Sequence, residues 1–229
     1  MRLFRPILVG AHLPDRLIAC LGAAVCIGLT VIVCAGLPLA TADLPIIVAP
    51  LGASAVLVFA VPASPLAQPW PVIGGNIVSA LVGVAAFNTF SNLVVAAGIA
   101  VGLAILVMSL LRCLHPPGGA AALTAVIGSQ GIHAAGYSFA FAPVGINSIA
   151  LVSLAMFFHR ATAHSYPHHP PSDLPTEVSA GIHLEDIDAA LEDMHESFDI
   201  SREDLAVLMT RAEAHSSARR ANAQSYADA

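Results

Sequence analysis

Two proline-started stretches of small residues are the part of this sequence that could do chemistry. Proline suits the first turn of a helix, and glycine and alanine leave the neighbouring amide N–H groups unobstructed. Such a helix start carries about half a positive charge and about four free donors, so it can hold an anion without a cationic side chain. The residues that would form the binding site are Pro50, Gly52, Ala53 and Ser54 in the first stretch and Pro117, Gly118, Gly119 and Ala120 in the second.

Three polar side chains extend this candidate anion site. His115 precedes the second stretch, and it could donate to an anion or titrate and couple transport to protons. Asn76 and Asn147 each follow a Gly-x pair just inside an apolar segment, where they could cap, bond across helices or line a pathway. A packing interpretation stays open, because glycine and alanine also permit close contact between membrane helices. Arg112 is either an anion partner or an interfacial anchor.

The charge distribution predicts an integral membrane domain. The 229 residues are 57% hydrophobic and 10% charged, and between Leu17 and His159 the only formal charges are Asp43 and Arg112. Soluble domains carry about 25% charged residues, and a bilayer makes unpaired charge expensive. Beyond Arg160 four arginines face thirteen acids, a net charge of −9. An acidic, soluble tail argues against nucleic acid as a partner.

Six apolar segments divide the membrane domain into two similar halves. They cover about residues 17–37, 46 or 50 to 61, 72–90, 93–111, 118–127 and 139–158, and residues 128–137 are expected to form a loop. Each half has a long segment, a short proline-started one and a segment opening with Gly-x-Asn. Three crossings per half would place the second copy upside down, the arrangement typical of secondary transporters. Arginine placement puts both termini in the cytoplasm with six crossings, and five crossings is the alternative.

The rest of the chain is expected to form a linker and a helical tail. We assign residues 1–160 to the transmembrane domain, 161–181 to a linker rich in histidine and proline, and 182–229 to an acidic cytoplasmic tail. Leu184, Ile187, Leu191 and Met194 recur at helical spacing, and Ser201-x-x-Asp204 is a capping box before a second helix. We expect a small helical hairpin with a frayed polar end from about Ser216.

Catalytic and metal-binding patterns are missing from the sequence. The four cysteines form no CxxC pair, and the linker histidines His159, His164, His168 and His169 have no second ligand set. No nucleophile motif, phosphate loop or carboxylate pair occurs in the membrane region. We therefore expect no enzyme activity, no metal site and no cofactor.

The combined motifs resemble those of the HPP family of integral membrane proteins, over roughly residues 10–160. The resemblance is carried by Leu114-His115-Pro116-Pro117-Gly118-Gly119-Ala120-Ala121-Ala122-Leu123, by 49–59, and by Pro65-Leu66-Ala67-Gln68-Pro69 with Ile73-Gly74-Gly75-Asn76. It implies a multi-pass protein of the bacterial plasma membrane. It also implies a link to nitrite, since relatives in chloroplasts and cyanobacteria are associated with nitrite transport. The CBS-domain pair that some members carry is expected to be absent here.

The sequence therefore predicts an all-α membrane transporter or channel for a small inorganic anion, with nitrite as the first candidate. The rival interpretation is a membrane scaffold or sensor whose tail binds a protein partner. Membrane lipid is the other expected partner, and the apolar surface permits a homodimer.

Overall fold

A computed structural model of the chain describes residues 12–37, 44–162, 165–169, 184–194 and 199–227. Within these ranges every regular element is helical and no strand occurs. Asp43, His164 and the first arginines lie outside the described residues, so the predictions that rest on them are not addressed. Contacts divide the chain into two compact units, Met1–His168 and His169–Ala229.

The first unit contains seven of the described α-helices. These are α1 Leu13–Ala35, α2 Pro50–Ala60, α3 Pro69–Thr89, α4 Leu93–Leu110, α5 Pro116–Ile127, α6 Gln130–Ala135 and α7 Ile146–Ala161. A short 3-10 turn, Pro65–Ala67, precedes α3, and a π-type turn, Ala140–Gly145, leads into α7.

Helix length separates spanning helices from short ones. Four described stretches are long and apolar enough to cross a membrane, namely α1, α3, α4 and Ala140–Ala161. The apolar helices α2 and α5 have 11 and 12 residues. At 1.5 Å per residue each is about 17 Å long, roughly half of a bilayer core. The order long, short, long occurs twice along the chain, while the inversion of one half relative to the other remains a prediction.

Helix α3 is the centre of the first unit, and glycines let its neighbours come close. It packs against α4 and α5 on one side and against α7 on another. A Cβ placed on Gly83 would overlap the Ala122 carbonyl oxygen of α5. A Cβ on Gly75 would lie 2.6 Å from the Cys113 carbonyl oxygen. The backbone of α5 and the loop before it therefore rest directly on α3.

Two sequence expectations were wrong. Residues 128–137 were expected to be a loop, but α6 forms there, and its first turn is capped by Ser129, whose Oγ accepts from the Ile132 amide. Six residues are too few for a periodic signal. The tail was expected to fray from about Ser216, yet the last helix continues to Ala227. Its alanines and arginines have high helix propensity, which sustains a helix without an apolar face.

The second unit has two described helices, α8 Leu184–Met194 and α9 Arg202–Ala227. They contact each other through Ile187 and Ala206, and Arg202 pairs with Asp188. The predicted cap at Ser201 is confirmed, because its Oγ accepts from the Asp204 amide at 3.1 Å. The hairpin itself remains a prediction.

Candidate functional site

A cluster of buried polar side chains lies where the two short helices meet α3. We call Ser54, Asn76, Ser79, His115 and Ser148 the polar cluster; each is at most 2% exposed. They come from α2, α3, α7 and the residue before α5. Buried polar groups in proteins are almost always hydrogen-bonded, so the bonding of each member can be followed atom by atom.

His115 occupies the N-cap position of α5 and connects it to the rest of the fold. Its backbone is extended, as expected for a residue before proline, and Pro116 and Pro117 form the first helical positions. The ring Nδ1 lies 2.9 Å from the Leu66 carbonyl oxygen, and Nε2 lies 2.8 Å from Ser54 Oγ. Because a carbonyl only accepts, Nδ1 carries a hydrogen. In the neutral ring Nε2 then accepts from the Ser54 hydroxyl.

Asn76 continues this chain of hydrogen bonds across α3. Its Nδ2 donates to Ser54 Oγ and to Ser148 Oγ, both at 3.2 Å. Ser148 in turn donates to the Val144 carbonyl oxygen at 2.9 Å. One continuous network therefore joins both short helices to α3 and α7.

Two atoms of the cluster have no hydrogen-bond partner within the described part of the chain. They are Asn76 Oδ1 and Ser79 Oγ. The two residues are three apart on α3, so their side chains lie on one face of the helix. Leaving a buried polar atom unsatisfied costs about 1–3 kcal/mol. A small polar solute that hydrogen-bonds to these two atoms would remove this cost, so the pair is a candidate binding position.

Gly118 brings the first turn of α5 against this face. A Cβ at Gly118 would lie 2.6 Å from Ser79 Oγ and 3.0 Å from the Gly75 carbonyl oxygen. Only glycine permits this approach of backbone to hydroxyl. The positive end of the α5 dipole is thereby held beside Ser79 Oγ.

The residues predicted from the sequence divide into two groups. Buried positions facing the interior are Pro50, Ser54, Asn76, His115, Pro117, Gly118 and Asn147. Gly52, Ala53 and Ala120 are exposed and Gly119 is half-buried. A Cβ on Gly119 would meet only Val101 Cγ1, at 3.8 Å. The proline-led turns therefore present one side to the cluster and the other side outward.

Asn147 is buried but lies apart from the polar cluster. Its Oδ1 accepts from the Val48 amide, and its Nδ2 donates to the Ile46 carbonyl oxygen, each at 3.0 Å. A further contact of 3.1 Å joins Nδ2 to Cys34 Sγ. Asn147 thus fastens the segment before α2 to α7, which is the interhelical role left open by the sequence.

Replacing Asn147 by alanine is expected to destabilise the fold without removing the anion site. It leaves the Val48 amide and the Ile46 carbonyl without their partner, at a cost of about 2–4 kcal/mol. We expect a fall of several degrees in Tm for the detergent-solubilised protein, against little change for Asn88→Ala on an exposed position of α3. Equal Tm values for the two variants would contradict this role.

Sequence reasoning missed Ser79 and Ser148. Both are single serines in apolar helices, and small residues are common there for packing alone. Their positions next to the predicted asparagines could have indicated them, since Ser79 lies three residues after Asn76 and Ser148 directly follows Asn147.

Two other predictions concern charge and metal. Arg112 is exposed in the loop before His115, with a left-handed backbone (φ 53°), and its side chain makes no described contact with the polar cluster. This position suits an interfacial anchor.

Across the described ranges, no three His, Cys, Asp or Glu side chains come together as metal ligands would.

Comparison with known proteins gives a family match over most of the chain. The model for the HPP transmembrane region matches residues 9–167. A transmembrane protein of Dictyostelium discoideum is 39% identical over 131 residues, covering 55% of this chain and 46% of the relative. A second from the same organism is 41% identical over 120 residues, covering 50% and 38%. The chain thus matches less than half the length of these curated relatives. No solved structure matches.

Proposed function

We propose that this chain, which belongs to the HPP transmembrane family, carries a small inorganic anion across a membrane and binds it at the polar cluster. Nitrite is the first candidate, from the association of similar proteins with nitrite transport. The observation that carries the proposal is the pair of buried, unsatisfied atoms Asn76 Oδ1 and Ser79 Oγ, of which Ser79 Oγ faces the first turn of a half-length helix. Short apolar helices that begin with proline and glycine, at corresponding positions of two similar halves, are typical of solute sites in secondary transporters.

The donors around this pair suit an oxyanion. The Ser79 hydroxyl can donate to an anion oxygen, and the Asn76 side chain can present either its carbonyl or its NH₂ group by rotating about its last bond. The first turn of α5 adds the positive end of its dipole. No lysine occurs in the chain, so attraction by backbone and neutral donors fits the composition. Such a site would favour a small monovalent anion, which needs few donors.

The location and orientation of the protein are part of the proposal. The family match and the apolar helices make it a membrane protein. We place it in the plasma membrane with both ends in the cytoplasm, because Arg16, Arg112 and Arg160 would then face the same side. A carrier and a channel are both compatible with a site at the middle of the fold.

Uptake into liposomes is the test of transport. Purified protein would be reconstituted, and entry of ¹⁵N-nitrite would be measured by mass spectrometry against protein-free liposomes prepared alongside. We expect faster, saturable uptake with the protein, reduced by competing nitrate. Equal rates with and without protein would remove the nitrite proposal, and the same assay with nitrate and chloride would then test the broader class of anions.

A second candidate function is favoured by the tail. An apolar groove between α8 and α9 is lined by Ile187, Leu191, Met194, Ile200, Leu205 and Met209, with Asp186 at its edge. An apolar groove in an acidic unit suits a basic amphipathic helix from a partner protein. If the chain is a scaffold or sensor, Leu191→Asp should abolish its function in cells, and substitutions at Asn76 should leave that function unchanged. If the chain is a transporter, substitutions at Asn76 should abolish its function and Leu191→Asp should not.

A further inference from the structure

We propose that the anion is taken up together with one proton, and that His115 carries that proton. The inference rests on the transport function proposed above and names its coupling. It is carried by the order of donors and acceptors from Leu66 through His115 and Ser54 to Asn76.

In the network with neutral His115, the polar cluster is a poor anion site. The Ser54 hydrogen points to Nε2 of His115 over 2.8 Å, so Ser54 Oγ must accept from Asn76 Nδ2 at 3.2 Å. Both Asn76 N–H groups are then used, on Ser54 and Ser148. The atom that remains is Oδ1, a carbonyl oxygen whose partial negative charge repels an anion.

Protonation of His115 reverses the direction of the hydrogen bonds between His115, Ser54 and Asn76. Nε2–H now donates to Ser54 Oγ, and the Ser54 hydrogen is released toward another acceptor. The Pro50 carbonyl oxygen at 3.3 Å is one such acceptor. The other is the Asn76 carbonyl after the amide rotates by half a turn, and the Ser148 hydroxyl can turn to the same oxygen. The Asn76 NH₂ group then takes the position that Oδ1 held and donates to the anion.

Charge balance makes the two ions dependent on each other. A lone imidazolium or a lone anion in an apolar interior is costly, whereas the pair is neutral overall. Within the described ranges, no charged side chain makes a contact with His115 from the elements packed on it. Cys113 lies two residues before it, while His159, Tyr166 and Arg16 are bonded to the carbonyls of Val58, Ala67 and Ala60. The anion is therefore the counter-ion that the protonated ring requires.

The resulting step moves no net charge. One anion and one proton enter the cluster from one side of the membrane, and both leave on the other side. The proton stays on Nε2 of His115 while the anion is bound, and no covalent bond to the anion forms. Transport should consequently respond to the pH gradient and be insensitive to membrane potential.

Proteoliposomes with a pH-sensitive dye inside provide the test. An inward nitrite gradient is expected to acidify the interior by one proton per anion above the protein-free rate. Protein-dependent uptake should be at least about tenfold faster at pH 5.5 than at pH 7.5, because the fraction of His115 that carries the second proton rises as the pH falls. Setting the membrane potential with potassium and valinomycin should leave the rate unchanged. His115→Gln and Ser54→Ala should flatten the pH profile, and Ser54→Thr, which keeps the hydroxyl, should restore it.

The outcomes separate the two proposals. Protein-dependent uptake that carries one negative charge per anion, or that is independent of pH, would overturn proton coupling and leave anion transport standing. A pH profile in His115→Gln identical to that of the wild type would also overturn it. Absence of protein-dependent flux for nitrite, nitrate and chloride would instead remove the transport function itself.

Discussion

Replacing Asn76 by aspartate will abolish protein-dependent anion uptake at pH 7.5. The substitution keeps the size of the side chain and places a carboxylate where Oδ1 is unsatisfied. Two like charges about 4 Å apart repel by roughly 4 kcal/mol in a partly polar site, which corresponds to a loss of about three orders of magnitude in affinity. We expect uptake of ¹⁵N-nitrite to fall to the protein-free rate, with partial recovery at pH 5 as the carboxyl group is protonated.

Asn92→Asp is the matched control for this prediction. Asn92 caps α4, where its Oδ1 accepts from the Val94 and Val95 amides, and aspartate serves equally well as a cap. The control should transport at the wild-type rate. Wild-type uptake by Asn76→Asp at pH 7.5 would show that the anion does not approach this side chain.

Replacing Gly118 by alanine will reduce anion uptake at least about tenfold. The added Cβ would lie 2.6 Å from Ser79 Oγ and 2.8 Å from Met108 Sδ. It must therefore push the Ser79 hydroxyl out of position or move the start of α5, and either shift removes a donor from the site. Mutational loss of one such donor costs about 1–3 kcal/mol.

The neighbouring glycine is the control. Gly119→Ala adds the same methyl group at the next residue, where the nearest atom is 3.8 Å away. It should transport normally. If Gly118→Ala fails to fold, Ser79→Ala removes the hydroxyl without adding volume and should show the same loss. Normal uptake by Ser79→Ala would mean that this hydroxyl does not contact the anion.

Much of the fold could be predicted because the bilayer restricts which sequences can span it. Apolar length alone separated long helices from short ones. Pro50 starts the first short helix as predicted, and the second starts at Pro116, one residue before the predicted Pro117. The exceptions are local. Helix α6 depends on a single capping serine, Ser129, and α9 depends on helix propensity rather than on an apolar pattern.

The candidate site was predicted in part, since residue types indicate chemistry but not which side of a helix faces inward. His115, Ser54 and Asn76 were named and are directly bonded to one another. Asn147 was named for the same reason as Asn76, yet its amide is used entirely by the Ile46–Val48 segment and Cys34. Gly52 and Gly119 carry the sequence motif, but their helix faces point outward. These differences depend on helix rotation and long-range contacts, which a repeat pattern does not encode.

A density map of the protein with nitrite bound tests the central claim most directly. The account predicts density for a bent three-atom anion within about 3 Å of Ser79 Oγ and of the Asn76 side chain, beside the first turn of α5. It also predicts that this density disappears in Asn76→Asp at pH 7.5. Nitrite held elsewhere in the fold, with Asn76 and Ser79 closed onto protein atoms, would contradict the account.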